Sequence, residues 1–297
     1  MILAAIDIGS NAARLLIEEA APYRDGTVDY TKLNLLRIPL RLGFDVFSTG
    51  KISPEKEALL LHTMQIYKDL MRLYRVEGVR AAATSAMRDA ANGGEIIEKV
   101  RQQTGIPIEI ITGQQEAQIL YETHVAEALG SDQSYLYVDV GGGSTEVTLF
   151  SQAALVFKES FNIGTIRLLQ GSVTGAQWAA MQSFLENAVR DYQPVRAIGT
   201  GGNINKVFSV SKQKEGTPLH LAYLQDFHQT LRVMSIAERS HTYGFRIDRA
   251  DVIVPALEIY LSVLRWVGAT EIYVPKIGLA DGLIKMQYAE RVKAGAA

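Results

Sequence analysis

Two hydrophobic periods take turns along the chain, one of two residues and one of three to four, and they place strands and helices in alternation. The stretch AAIDIGSNAARLLI, Ala4 to Ile17, runs apolar to an aspartate, passes one more apolar residue, crosses a glycine turn and resumes its apolar alternation. The stretch LYVDVGGGSTEVTLF, Leu136 to Phe150, repeats that design. After the second turn, Thr145, Val147, Thr148 and Leu149 combine β-branching with alternation, so each copy is expected to be strand, glycine turn, strand. A helix is predicted from Ser53, with Ser as N-cap, Pro54 at the first position and Glu55 in the first turn. The next segment reads as a strand from Gly78, a polar turn at Thr84 to Arg88 and a helix ending at Gly105. IPIEIIT is a strand, and a helix is expected from Gln115 onward until the polar break SDQS, Ser131 to Ser134.

The second half gives a strand, a helix near Gly175 to Arg190, the strand VRAIGT and another glycine turn, Gly199 to Asn203. DRADVIVPALEIYLSVLRWVG is expected to be one helix, EIYVP a strand and GLADGLIKMQYAERVKA a closing helix. This alternation around a duplicated hairpin predicts an α/β chain of two similar lobes, residues 1–125 and 126–297, with a ligand cleft between them. The closing helix is free to pack back on the first lobe.

Composition narrows the class without changing the architecture. A chain of 297 residues fits two lobes, and 47% apolar residues supply a core without metal or disulfide staples. There is no cysteine, which removes disulfides, thiolate zinc sites and a cysteine nucleophile. No basic leader opens the chain and no run of about 18 uncharged apolar residues occurs, so a cytoplasmic protein without membrane contact is expected. A net charge of −2 argues against DNA or general nucleic-acid binding. The sequence does not set the oligomeric state; a homodimer is possible on the base rate alone, being the commonest oligomer of soluble proteins.

The glycine turns carry the candidate chemistry. Neither a Walker-type loop nor a dinucleotide fingerprint leading into a helix is present. A hairpin turn of Gly141, Gly142 and Gly143 can still aim successive N–H groups at an anion, if the glycines adopt the positive φ of a nest; otherwise it is a plain tight turn. Asp7, Asp139 and Glu146 are hard oxygen donors on the two hairpins and suit magnesium or manganese. Asp7 alternatively braces its own turn. Arg14 and Arg88 could fork phosphate oxygens, or Arg14 could pair with a carboxylate of its own lobe. Ser10, Asn11, Ser144 and Thr145 offer short donors beside Gly9 and the other turn amides. Glu116 at a helix start complements the helix dipole or serves as a base. Glu122 falls on another face of that helix and reads as solvated. His62, His124, His220, His228 and His241 lack ligand spacing and read as surface or packing residues.

Six stretches in order resemble the Ppx/GppA family of exopolyphosphatases and guanosine pentaphosphate phosphohydrolases: Asp7 to Ile17, Ala83 to Gly93, Glu109 to Tyr121, Val138 to Val147, Ile198 to Asn203 and Asp248 to Leu257. The resemblance implies two ribonuclease H-like lobes of the actin-like ATPase fold, with an active-site cleft between lobes. It also implies a metal-assisted phosphoanhydride hydrolase with Glu116 as catalytic base and Asp139, the Gly141 backbone and Glu146 on the metal side. It places Arg88 toward the ligand and the Gly201–Gly202 turn near the nucleotide or distal phosphates, unless that turn simply opens a helix. Ala12, Ala13, Phe44 and Gln115 depart from the family pattern. The implied substrate is inorganic polyphosphate, with guanosine penta- or tetraphosphate as the alternative. A kinase and a non-catalytic nucleotide-binding protein of the same fold group are the other classes. Longer family members carry added C-terminal domains, and without a basic track the chain is expected to release long polyphosphates between cuts.

Overall fold

Both glycine turns close four-residue hairpins, and each hairpin seeds one sheet. The structure, a computed structural model, describes all residues except 25–26, 122–132, 153, 276 and 296–297, with only the backbone of Ala117, Leu120 and Tyr121. β1 (Ile2–Ile8) and β2 (Ala13–Pro22) pair antiparallel, with Asp7 opposite Arg14 and Ile8 opposite Ala13. β3 (Val28–Ile38) adds to the outer edge of β2, while β4 (Gly78–Ala83) and β5 (Ile108–Ile110) run parallel to β1, in the order β3-β2-β1-β4-β5. The second sheet repeats that scheme with β6 (Ser134–Val140), β7 (Thr145–Ser151), β8 (Ala154–Phe161) and β9 (Val195–Thr200). β10 (Leu219–His220) and β11 (Glu271–Tyr273) complete the order β10-β11-β9-β6-β7-β8.

The chain forms two compact units, Met1–Thr123 with Gly278–Ala297, and His124–Ile277. Both are α/β. Three antiparallel strands followed by parallel ones is the repeated scheme of ribonuclease H-like lobes in the actin-like ATPase fold.

The first unit carries α1 (Leu42–Thr49), α2 (Pro54–Leu73), α3 (Ser85–Asp89), α4 (Gly93–Thr104) and α5 (Gly113–Tyr121). Ser53 caps α2 as expected, its Oγ accepting from the Lys56 N–H at 3.4 Å. The second unit carries α6 (Thr165–Leu169), α7 (Gly175–Ala188), α8 (Gly202–Ser211), α9 (Leu221–Val233), α10 (Ile236–Tyr243), α11 (Ile247–Ala250) and α12 (Ile253–Trp266). The closing helix α13 (Leu279–Lys293) belongs to the first unit. No helix among the described residues is long and apolar enough to cross a membrane.

Two expectations are corrected. The segment from Asp248 to Gly268 is two helices, because Pro255 has no N–H and its ring would strike the carbonyl four residues back. It is accommodated in the first turn of α12, so the helix restarts at Ile253. The 84–88 turn is also helical in part, as α3.

Period-2 burial explains how α13 comes to lie where it does. Along β1, Ala4, Ile6 and Ile8 join a core with α2 and α4, whereas Leu3 and Ala5 face a second core built from Ile119, Leu279, Leu283 and Ile284. That second face would be bare sheet without α13, which packs on β1, β2 and α5. The approach to α5 is close: a Cβ on Gly282 would lie 2.3 Å from the Ile119 carbonyl oxygen. Glycine is what allows the two helices to meet there. The second unit has one larger core, and nine of the fourteen residues of α12 are buried.

Candidate active site

In the second unit the β6–β7 turn is closed by the Gly141 N–H donating to the Ser144 carbonyl at 2.9 Å. The carbonyls of all three glycines are held from one side. Gly141 O accepts from the Thr165 N–H at 3.0 Å, Gly142 O from the Ile166 N–H at 2.9 Å, and Gly143 O from Arg167 Nε at 2.7 Å. In a trans peptide the next residue's N–H points opposite to the carbonyl, so the N–H groups of Gly142, Gly143 and Ser144 all face away from α6. Three successive donors on one side of a turn are an arrangement that can accept an anion.

The backbone angles of the turn differ from those expected for a nest. None of Gly141, Gly142 and Gly143 has a left-handed φ, so the turn does not need glycine for its backbone angles. Space is tight at Gly141, where a Cβ would sit 3.2 Å from Ser144 O, and excludes a side chain at Gly164 behind the turn, where a Cβ would sit 2.5 Å from Gly142 O. The Thr145 hydroxyl is turned inward, donating to Ile163 O at 2.6 Å. Ser144 is buried beside it.

Two carboxylates flank the turn. Asp139 and Glu146 are paired directly across β6 and β7, a like-charge juxtaposition that costs stability unless a cation shares it. Thr200 Oγ1 donates to Asp139 Oδ2 at 2.9 Å, and Ser160 Oγ lies 3.0 Å from Glu146 Oε1; Glu146 is only 4% exposed. Gly201 needs glycine twice over, with φ of 102° and a notional Cβ 2.9 Å from Asp139 Oδ1. Behind it the Tyr260 hydroxyl donates to Thr200 O at 2.5 Å, and burial, then the charge of Asp139, hold that phenol well above its usual range. Tyr260 therefore stays a donor. Arg249 Nη1 donates to Gly202 O at 2.7 Å, which fixes the entry to α8. Among the described residues no group of three or more His, Cys, Asp or Glu side chains forms a metal cluster.

The first unit builds a related but differently charged array. Arg14 Nη1 donates to Asp7 Oδ2 at 2.5 Å, so the strand pair that opposes two acids in the second unit opposes acid and base here. Of the two roles open to Arg14, the structure has it paired with a carboxylate of its own unit. The turn carbonyls again face a helix start: Ser10 O accepts from the Gly43 N–H at 2.9 Å and Asn11 O from the Arg41 N–H at 3.0 Å. The N–H groups of Asn11 and Ala12 then point away from α1. Gly9 closes the turn through its N–H to Ala12 O at 3.0 Å. Ser10 Oγ lies 2.9 Å from Ser85 Oγ, joining the turn to the end of β4.

At the neighbouring strand end Arg88 Nη1 donates to Ile111 O at 3.0 Å, bracing the approach to α5. Thr112 and Gln115 form a capping box there, Gln115 N–H to Thr112 Oγ1 at 3.1 Å and Thr112 N–H to Gln115 Oε1 at 2.8 Å. Gln115, where the family pattern has an acid, thus starts the helix whose next residue is Glu116. Glu116 is half-buried in the first turn of α5. Glu122 and His124 lie outside the described residues.

Each array sits at the carboxyl ends of its parallel strands, β1, β4 and β5 in one unit and β6 and β9 in the other, where open α/β sheets bind ligands. Sequence reasoning missed Ser85, Ser160, Gly164, Arg167, Thr200 and Tyr260, although glycine followed by arginine in NIGTIR was a visible signal.

Comparison with known proteins bears on the family and the fold. The model of the Ppx/GppA phosphatase family matches residues 28–289. The crystal structure of the Aquifex aeolicus member of that family is 26% identical, with a TM-score of 0.75 over 98% of each chain. A second structure of the Aquifex aeolicus enzyme is 28% identical, with a TM-score of 0.74 over 96% of this chain and 99% of that one. An exopolyphosphatase from Cytophaga hutchinsonii, 23% identical, shares the fold with a TM-score of 0.84 over 98% of each chain. With the family match spanning nearly the whole sequence and the duplicated hairpins in place, the chain belongs to the Ppx/GppA phosphatase family.

Proposed function

We propose that the chain, a phosphoanhydride hydrolase by its family, releases the terminal phosphate of inorganic polyphosphate by direct attack of water. The observation that carries this reading is the row of N–H groups at Gly142, Gly143 and Ser144 beside the opposed carboxylates of Asp139 and Glu146. Phosphoryl transfer asks little covalent work of a protein; it asks for donors where negative charge lies and for a positioned water. The turn amides supply the donors. Glu116 is assigned the proton of the attacking water as its oxygen bonds to the terminal phosphorus and the P–O bond to the shortened chain breaks. Gly201, Gly202 and the first-unit residues Gly9, Ser10, Asn11 and Arg88 are assigned to further phosphate oxygens.

The residues fit a hard divalent cation, magnesium or manganese. Asp139 and Glu146 would hold it, since two opposed carboxylates with fixed second partners are the donor set such an ion takes. Bound there, it would supply neutralisation of phosphoryl charge. Asp7, with Arg14 on it, is better suited to bracing its turn than to this ion.

The test is phosphate release measured side by side on polyphosphate and guanosine pentaphosphate. Polyphosphate is expected to be cleaved, and Glu116→Gln to lower turnover about 10²- to 10⁴-fold with KM little changed. Cleavage of the nucleotide alone would replace the substrate. Near-normal turnover in the variant would remove Glu116 as the base.

A further inference from the structure

The carbonyls of Gly141 and Gly142 are held by backbone N–H groups, whereas that of Gly143 is held by a side chain, Arg167 Nε at 2.7 Å. We propose that Arg167 is a positioning residue that sets the polarity of the phosphate turn, a statement resting on the phosphate reading of that turn. Its bond fixes the Gly143–Ser144 peptide with the carbonyl toward α6 and the Ser144 N–H on the opposite side. Gly143 has no side chain to restrain its ψ, so without the bond this peptide is free to rotate. Rotation would bring a carbonyl dipole to the face where the N–H pointed. A turn that solvates phosphate would then repel it, and the exchange costs more than one lost donor.

Gly164 and Arg167 act as one device. Gly164 allows the chain to pass within contact of Gly142 and Gly143, where any Cβ would strike both, and Arg167, one turn along α6, then reaches Gly143 O. Arg167 is half-buried behind the turn and meets it through a carbonyl, which makes its role orientation of the backbone.

The chemistry of the side chain provides the test. Glutamine carries an N–H donor at the ε position, where the arginine Nε stands, but no charge, whereas methionine keeps length and offers no donor. Binding of imidodiphosphate, which resists hydrolysis, is measured by calorimetry on the full chain. The carbonyl ¹³C resonance of Gly143 is followed without ligand. Arg167→Met should weaken binding about tenfold or more, the worth of one charge-assisted bond, and should shift that resonance. Arg167→Gln should bind within about threefold of wild type, by the same scale, and leave the resonance near its original position. Equal losses in both variants would mean that Arg167 acts by charge, and unchanged binding in Arg167→Met would mean that it does not matter; either overturns the inference. If the wild-type chain binds no imidodiphosphate, the phosphate reading of the turn fails, and the inference falls with it even where the Gly143 resonance responds.

Discussion

Gly282→Ala pits two effects of opposite sign against each other. Gly282 lies in the first turns of α13, and in a free helix replacing glycine by alanine stabilises by about 1 kcal/mol. In the folded chain the added methyl would lie 2.3 Å from Ile119 O and 2.6 Å from Ile119 Cγ2, where ordinary contacts begin near 3.4 Å. A shift on the order of 1 Å must be found, and a backbone carbonyl cannot rotate away as a side-chain tip can. Overpacking of this kind costs about 1–3 kcal/mol, so the net expectation is a loss of up to about 2 kcal/mol. Thermal unfolding reads this as a Tm lower by about 2–4 °C per kcal/mol. The displaced helix is α5, and Glu116 sits one turn before Ile119. If Glu116 is the base, a displacement of about 1 Å lowers kcat by up to about 10²-fold while KM changes little. Gly94→Ala is the control, since nothing lies within 4 Å of a Cβ there; it should be neutral or stabilising with normal turnover. A Gly282→Ala chain as stable and as active as wild type would show that the α13–α5 contact constrains neither the fold nor the site.

Two further expectations concern charge. Activity should require magnesium or manganese and disappear with chelator, and Asp139→Asn should raise the half-saturating metal concentration about tenfold or more; full activity in chelator would remove the ion from the mechanism. Glu18, 2% exposed on β2, has its pKa raised from 4.5 to about 7 by burial and then by the charge of Asp281, despite Lys32 at 4.0 Å. Because the folded state holds that proton more tightly, its contribution is present below about pH 4.5 and is lost as pH rises through about 7. Glu18→Gln should therefore flatten the fall in urea midpoint between pH 5 and pH 8. An unchanged pH dependence in that variant would refute the assignment.

The hairpins were legible because their signal is local: apolar alternation, an acid before the turn and glycine within it survive in any window of about fifteen residues. The capped helix α2 was legible for the same reason. Part of what escaped, such as the Arg167 bond to Gly143 O, needed partners far along the chain, and the rest was a local signal overridden by a stronger one. The break before Pro255 was visible as a proline inside a helical pattern, and the Thr112–Gln115 box as T-x-x-Q, yet both yielded to a periodic apolar run that reads as continuous. The long edge strand β3 was missed because its mixture of exposed and half-buried positions hides the alternation.

The two hairpins also show where residue types stop determining chemistry. Aligned turn for turn, Asp7 stands with Asp139 and Arg14 with Glu146, and one exchange converts an internally neutralised pair into two opposed acids. That much can be read from the sequence. Which face of each turn presents N–H groups cannot, because a glycine turn is equally a row of donors and a row of acceptors until something holds one side. In the first unit the carbonyls are held by amides of residues 41 and 43, some thirty residues away; in the second they are held by residues 165 to 167, more than twenty residues away. The same device, a helix start laid against the turn, settles both. Glycine content therefore marks a turn that can offer either face, and the bonds behind it decide which groups that face presents.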